Sequence, residues 1–178
     1  MNLKESVKKV LREELLKELG DSVDNTYECY VNYEDEKEGS YGFTTDKYEY
    51  EIEIRKPLLY QDFNREIYLK GMREIVKVLQ ENNLNEKEIR NLAVVAFDII
   101  DDEGYTSNYT EITNDNFFKV MSTIYKTIMR YKRKYKTKVI FVNPSDNRRK
   151  NVYFKFFKNY DIVDKVFLLA DGVLVITK

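Results

Sequence analysis

The sequence predicts an α+β protein: a mixed, mostly antiparallel sheet with flanking helices, preceded by an amphipathic N-terminal helix. Three observations carry this. Leu3, Val7, Val10, Leu11, Leu15 and Leu19 recur at three- and four-residue steps, the period of one helix face. Tyr48, Tyr50, Ile52 and Ile54 alternate with Glu49, Glu51, Glu53 and Arg55, the period of a half-buried strand. The last third reads helix, strand, helix, strand, strand, and closes in apolar runs on either side of Asp171-Gly172, a hairpin signal.

Taken in order, residues 1–20 form the amphipathic helix, ended by Gly20. It is either packed on the domain or a detachable docking helix presenting Leu3, Val7, Val10, Leu11 and Leu15. Residues 21–39 are acidic and polar and read as a linker. Residues 40–178 then form a single α/β domain, of a size that builds its own core. Tyr41–Thr45 is the candidate hairpin partner of the 48–55 strand, although Asp46-Lys47 is a poor turn pair. Residues 62–81 are helical, with Ile67, Met72, Ile75, Val76 and Leu79 inward. The run Leu92-Ala93-Val94-Val95-Ala96-Phe97 within 91–101 suits a strand buried on both faces. Tyr109–Thr113 is a short candidate strand. Helices over 116–131 and 146–159 flank a strand over 138–143, and strands over 163–170 and 172–177 close the domain.

Composition excludes several function classes. The 178 residues contain no histidine, which removes His-based triads and His zinc sites. A lone Cys29 forms no internal disulfide, and no cysteine pair suggests a metal site. No run of about 18 apolar residues spans a bilayer, and the N-terminus lacks the apolar core of a secretory signal. No membrane partner and no cofactor are expected. Charge is unevenly spread: residues 1–60 carry nine Lys/Arg against fifteen Asp/Glu, residues 119–158 thirteen against Asp146 alone. Such asymmetry implies an anionic partner for the C-terminal half, or pairing between the halves.

The basic residues Arg130, Lys132, Arg133, Lys134 and Lys136, with Arg148, Arg149 and Lys150, are the candidate binding set. They suit nucleic-acid phosphates, with Tyr131 and Tyr135 stacking on bases, or an acidic protein surface. The plainer alternatives are a solvated helix end, where cations oppose the dipole, and pairing with the acidic first third. Asp98, Asp101, Asp102 and Glu103 cluster at a strand end, where carboxylates hold Mg²⁺ or Ca²⁺ or simply face water. Tyr41, Tyr48, Tyr50, Tyr60, Tyr105 and Tyr109 are a candidate aromatic surface for a protein partner.

Two resemblances add to this. The stretch Val139-Ile-Phe-Val-Asn-Pro144, then Arg148, Asn151, Tyr153, Lys155 and Phe157, then the 166–177 hairpin, resembles the end of the GNAT acyltransferase fold over residues 115–178. That resemblance implies Tyr153 as the general acid that protonates a leaving thiolate, under an acyltransferase reading. In active members a glycine-bearing loop lets backbone N–H groups meet the coenzyme pyrophosphate at a helix N-terminus. Here Thr113-Asn114-Asp115-Asn116-Phe117-Phe118-Lys119 has no glycine and places Asp115 at the phosphates, so the scaffold has lost its acetyl-CoA loop. Separately, Phe118-Lys-Val-Met-Ser-Thr123, the following strand and Arg148 to Tyr153 resemble uncharacterised tailed-bacteriophage proteins. The resemblance implies a non-enzymatic virion-associated or accessory protein in the host cytoplasm or the virion, not secreted, with a virion or host protein as partner.

Overall fold

The computed structural model describes residues 26–56, 66–100, 106–107, 117–143, 147–160 and 162–178. The docking-helix residues Leu3, Val7, Val10, Leu11 and Leu15 lie outside them, as does the 109–113 strand.

Strands β1 (Cys29–Glu34), β2 (Glu38–Thr44) and β3 (Glu49–Arg55) form an antiparallel meander. The β1–β2 turn forms because the Asp35 carboxylate accepts the backbone N–H groups of Lys37 and Glu38 at 2.7 and 2.8 Å. The β2–β3 turn is closed by Thr45 rather than by Asp46-Lys47. Its hydroxyl oxygen accepts from the N–H of Tyr48 at 2.9 Å and its own N–H donates to the Tyr48 carbonyl at 2.8 Å. The stretch read as a linker over 21–39 therefore holds β1 and the start of β2.

Helix α1 (Glu66–Glu81) follows, then the short α2 (Glu86–Arg90). Helix α2 is too short to show a periodic stripe, and its sequence signal is the reciprocal cap of Asn85 and Glu88, side chain to backbone in both directions. Next come β4 (Ala93–Ile100), β5 (Thr106–Ser107), α3 (Phe117–Tyr135), β6 (Val139–Val142), α4 (Asn147–Phe157), β7 (Val163–Leu168) and β8 (Val173–Thr177). The helix–strand–helix–strand–strand order of the last third is as the sequence predicts. Among the described residues no helix is long and apolar enough to cross a membrane.

The strands form one mixed, mostly antiparallel sheet in the order β1-β2-β3-β4-β6-β8-β7, with β5 paired to β4 off this path. Its parallel contact is β4–β6, where Ala93, Val94 and Val95 face Ile140, Phe141 and Val142. Beyond Val142 the Asn143 N–H still donates to the Val95 carbonyl at 3.0 Å.

Helices α3 and α4 cover one face of the sheet over a core of Tyr41, Phe43, Tyr50, Ile52, Val95, Val120, Ile124 and Phe156. The described part of α1, with α2, covers the other face through Met72, Ile75, Leu79, Val139, Phe141 and Leu174. Among the described residues this second cluster contains none of β1, β2 or β3. Strand β4 consequently alternates buried and half-buried residues instead of being buried on both faces.

Gly172 closes the β7–β8 hairpin where a Cβ would lie 2.5 Å from both the Phe141 ring and the Val142 carbonyl oxygen. Gly172→Ala must push backbone as well as a ring. It is expected to lower the urea-unfolding free energy by ~1–3 kcal/mol, as overpacked cores do. An unchanged midpoint would contradict the packing described.

Candidate functional site

Helices α3 and α4 are amphipathic with a one-signed outer surface. In α3, Val120, Met121, Ile124, Tyr125, Ile128 and Met129 are buried, while Lys126, Arg130, Arg133 and Lys134 are exposed. In α4, Tyr153, Phe156 and Phe157 point inward, while Val152 and Lys155 are exposed. Six Lys/Arg lie in α3 and four in α4, ten together, and neither helix carries an acid. Lys126, Arg130 and Arg133 are spaced four and three apart, so they share one stripe.

Part of this charge is answered from the first third of the chain. Glu34, at the end of β1, has a side chain only 4% exposed. Lys134 Nζ contacts its Oε1 at 2.5 Å, and Tyr135 donates its hydroxyl to the same oxygen at 3.3 Å. Arg130 approaches Oε2 at 3.4 Å, an ion pair without a hydrogen bond. Burial alone would raise the Glu34 carboxyl, but Lys134, Tyr41 and Arg130 around it outweigh that and hold it below the ordinary range. The same contact raises Lys134. Tyr41 is pushed up, first by burial and then by the neighbouring Glu34.

The predicted basic set is not one surface. Lys132 Nζ donates to the Lys178 carbonyl at 3.2 Å, after the end of β8, and burial lowers its pKa. Lys150 Nζ donates to the Ala170 carbonyl at 2.7 Å, before the start of β8. The five residues of β8 separate these ends by roughly 17 Å. Arg133 and Lys136 are exposed, Lys136 in the left-handed region at φ 52°. The side chains of Arg148 and Arg149 lie outside the described residues.

Tyr131 does not stack on bases. It is 1% exposed and donates its hydroxyl to the Glu36 carbonyl at 3.1 Å. Tyr41 and Tyr50 are likewise fully buried, so they do not belong to an aromatic surface. The tyrosines exposed on β1 are Tyr30 and Tyr33, at 41% and 45%. Tyr60, Tyr105 and Tyr109 lie outside the described residues. So do Asp101, Asp102 and Glu103; Asp98 is half-buried on β4, and no metal-holding acid group occurs among the described residues. Tyr153 is 2% exposed and its ring centroid lies 5.2 Å from that of Phe97, inside the main core.

Between β1 and α3 lies a pocket of about 140 Å³ lined by residues including Tyr27, Cys29, Tyr41, Lys126, Thr127 and Arg130. Thr127 Oγ1 sits 3.3 Å from Cys29 Sγ. Burial raises the Cys29 thiol against the opposing effects of Thr127 and Arg130, which disfavours the thiolate.

The model of a family described as a family of unknown function (DUF6934) matches residues 44–169. No curated protein and no solved structure matches the chain.

The Glu34 cluster carries a signed pH dependence. A carboxyl held low in the fold contributes stability above its unfolded pKa, and that contribution is lost as pH falls through the folded value. Glu34→Gln removes this term. Denaturant titrations across the acid range should give the variant a flatter stability profile than the wild type below the ordinary glutamate range. Parallel profiles would show that Glu34 is not held by these cations.

Proposed function

We propose that this chain, which belongs to the DUF6934 family, is a non-enzymatic binding protein that engages an acidic protein surface through the outer face of α3 and α4. The observation that carries this reading is the exposed stripe of Lys126, Arg130 and Arg133 on α3, with Lys155 exposed on α4, in two helices that carry no acid. Ordinary solvated helices mix both signs, whereas a one-signed face raises the local concentration of an opposite one and steers its approach.

The scaffold on this reading is acetyltransferase-like. Support comes from the parallel β4–β6 pair joined through α3, followed by α4 and a closing hairpin whose second strand, β8, lies beside β6. Coenzyme binding is disfavoured by the glycine-free sequence 113–119 with Asp115 in it. Tyr153, packed on Phe97 in the core, then serves as a packing residue rather than as an acid facing a thiolate. The resemblance of 118–123 and 148–153 to phage proteins suggests a virion-associated setting, with residues 1–20 as a docking segment.

Isothermal titration at low salt tests this. Acetyl-CoA should give no heat, and a poly-glutamate probe should bind with an affinity that falls as salt rises. Micromolar acetyl-CoA binding would overturn the reading in favour of an acyltransferase with Tyr153 as acid. Preferential binding of a single-stranded oligonucleotide, with a steep salt slope, would replace the acidic protein with nucleic acid.

A further inference from the structure

On β3, the face of the sheet opposite α3 and α4 carries a row of glutamates. Residues directly across a ladder share a face. Glu49, Glu51 and Glu53 stand opposite Thr44, Gly42 and Ser40 on one side, and Ile100, Asp98 and Ala96 on the other. Tyr30 and Tyr33 stand opposite Gly42 and Ser40, so they lie on this same face. Tyr30 donates its hydroxyl to Glu49 at 2.5 Å, and Ser40 to Glu51 at 2.6 Å. These are hydroxyl partners, which leave the carboxylate charges in place. Arg55 pairs with Glu53 at 2.8 Å. The glutamate bond, before desolvation, pushes Tyr30 up to about 12, so the hydroxyl stays protonated.

This β1–β3 shelf shares no described residue with the cluster under α1 and α2. It ends at β1, a sheet edge whose Tyr30, Val31 and Tyr33 are exposed by 41, 39 and 45%. Exposed aromatics beside charge are what protein interfaces anchor on. The shelf is about 23 Å long, from the seven residues of β3. Helix α3, with 19 residues, is about 28 Å long, so one helix spans the shelf.

We infer, building on the binding role above, that the acidic partner is a second copy of this chain. The β1–β3 face of one copy, with Tyr30, Tyr33, Glu49 and Glu53, receives the α3–α4 face of the next, with Lys126, Arg133, Lys155 and the exposed Val152. The two faces lie on opposite sides of one sheet, so the contact is heterologous and head to tail. A symmetric pairing of two β1–β3 faces would instead oppose like charges.

Sedimentation velocity of the full chain tests this at roughly 50 mM and roughly 500 mM salt, on either side of effective screening. The wild type should show concentration-dependent species larger than a monomer at low salt only. Glu49→Lys/Glu53→Lys and Lys126→Glu/Arg133→Glu should each weaken association at least ~tenfold, because reversal sets like charges against each other. An equimolar mixture of the two variants should associate again, which neither misfolding nor generic charge loss produces. A wild type that stays monomeric at low salt, or a mixture that fails to associate, overturns the self-association. Lys126→Glu/Arg133→Glu is also titrated with poly-glutamate: lost binding with a monomeric wild type sinks the second copy alone, while unchanged binding sinks the α3–α4 reading itself.

Discussion

The parallel contact between β4 and β6 is the constraint on which the rest of this structure depends. Parallel neighbours cannot be joined by a tight turn, so the chain between them must cross a face of the sheet. Helix α3 lies on that path, and its Val120, Ile124 and Ile128 enter the same cluster as Val95 and Ile140. Helix α4 returns on the same face, inserting Phe156 and Phe157. With both helices on one side, their polar residues turn outward together. Segregation of the cations from the glutamates of β3 is thus a product of topology acting on the sequence.

Glu34 ties the two charged halves together. Removing a carboxylate from water costs several kcal/mol unless partners replace the lost hydration. Lys134, Arg130 and Tyr135 supply that replacement, across about a hundred residues of chain. A shift of β1 against α3 would break these contacts and strand the buried Glu34 charge. The β1 edge is held in place by this cluster, by the Tyr27 N–H bond to Thr123 at 2.9 Å, and by Thr127 against Cys29.

Periodicity made much of the fold legible. The β3 alternation, the α3 stripe and the closing hairpin stand in the structure with boundaries shifted by a few residues. Strand β1 escaped because its register shifts between Val31 and Tyr33. Strict alternation would put Tyr33 with Cys29 and Val31; the bulge turns Tyr33 to the opposite face and Glu34 toward α3. The basic set was legible as charge but not as a surface. Lys132 and Lys150 are close in sequence, yet the reversal through β6 and α4 puts them at opposite ends of β8. Tyr41 and Tyr50 suit a surface or a core equally in sequence, because tyrosine is amphipathic, and only the sheet decides which face is closed.

Peptide-resolved hydrogen exchange at low and high salt tests the central claim, that the α3–α4 outer face is where this chain binds. The account predicts that raising protein concentration at low salt slows exchange in α3, α4 and β1–β3, and that high salt abolishes the slowing. Exchange in α3 and α4 that ignores both concentration and salt, while acetyl-CoA slows the segments around Phe97 and Tyr153, would contradict it and return the chain to the enzymes.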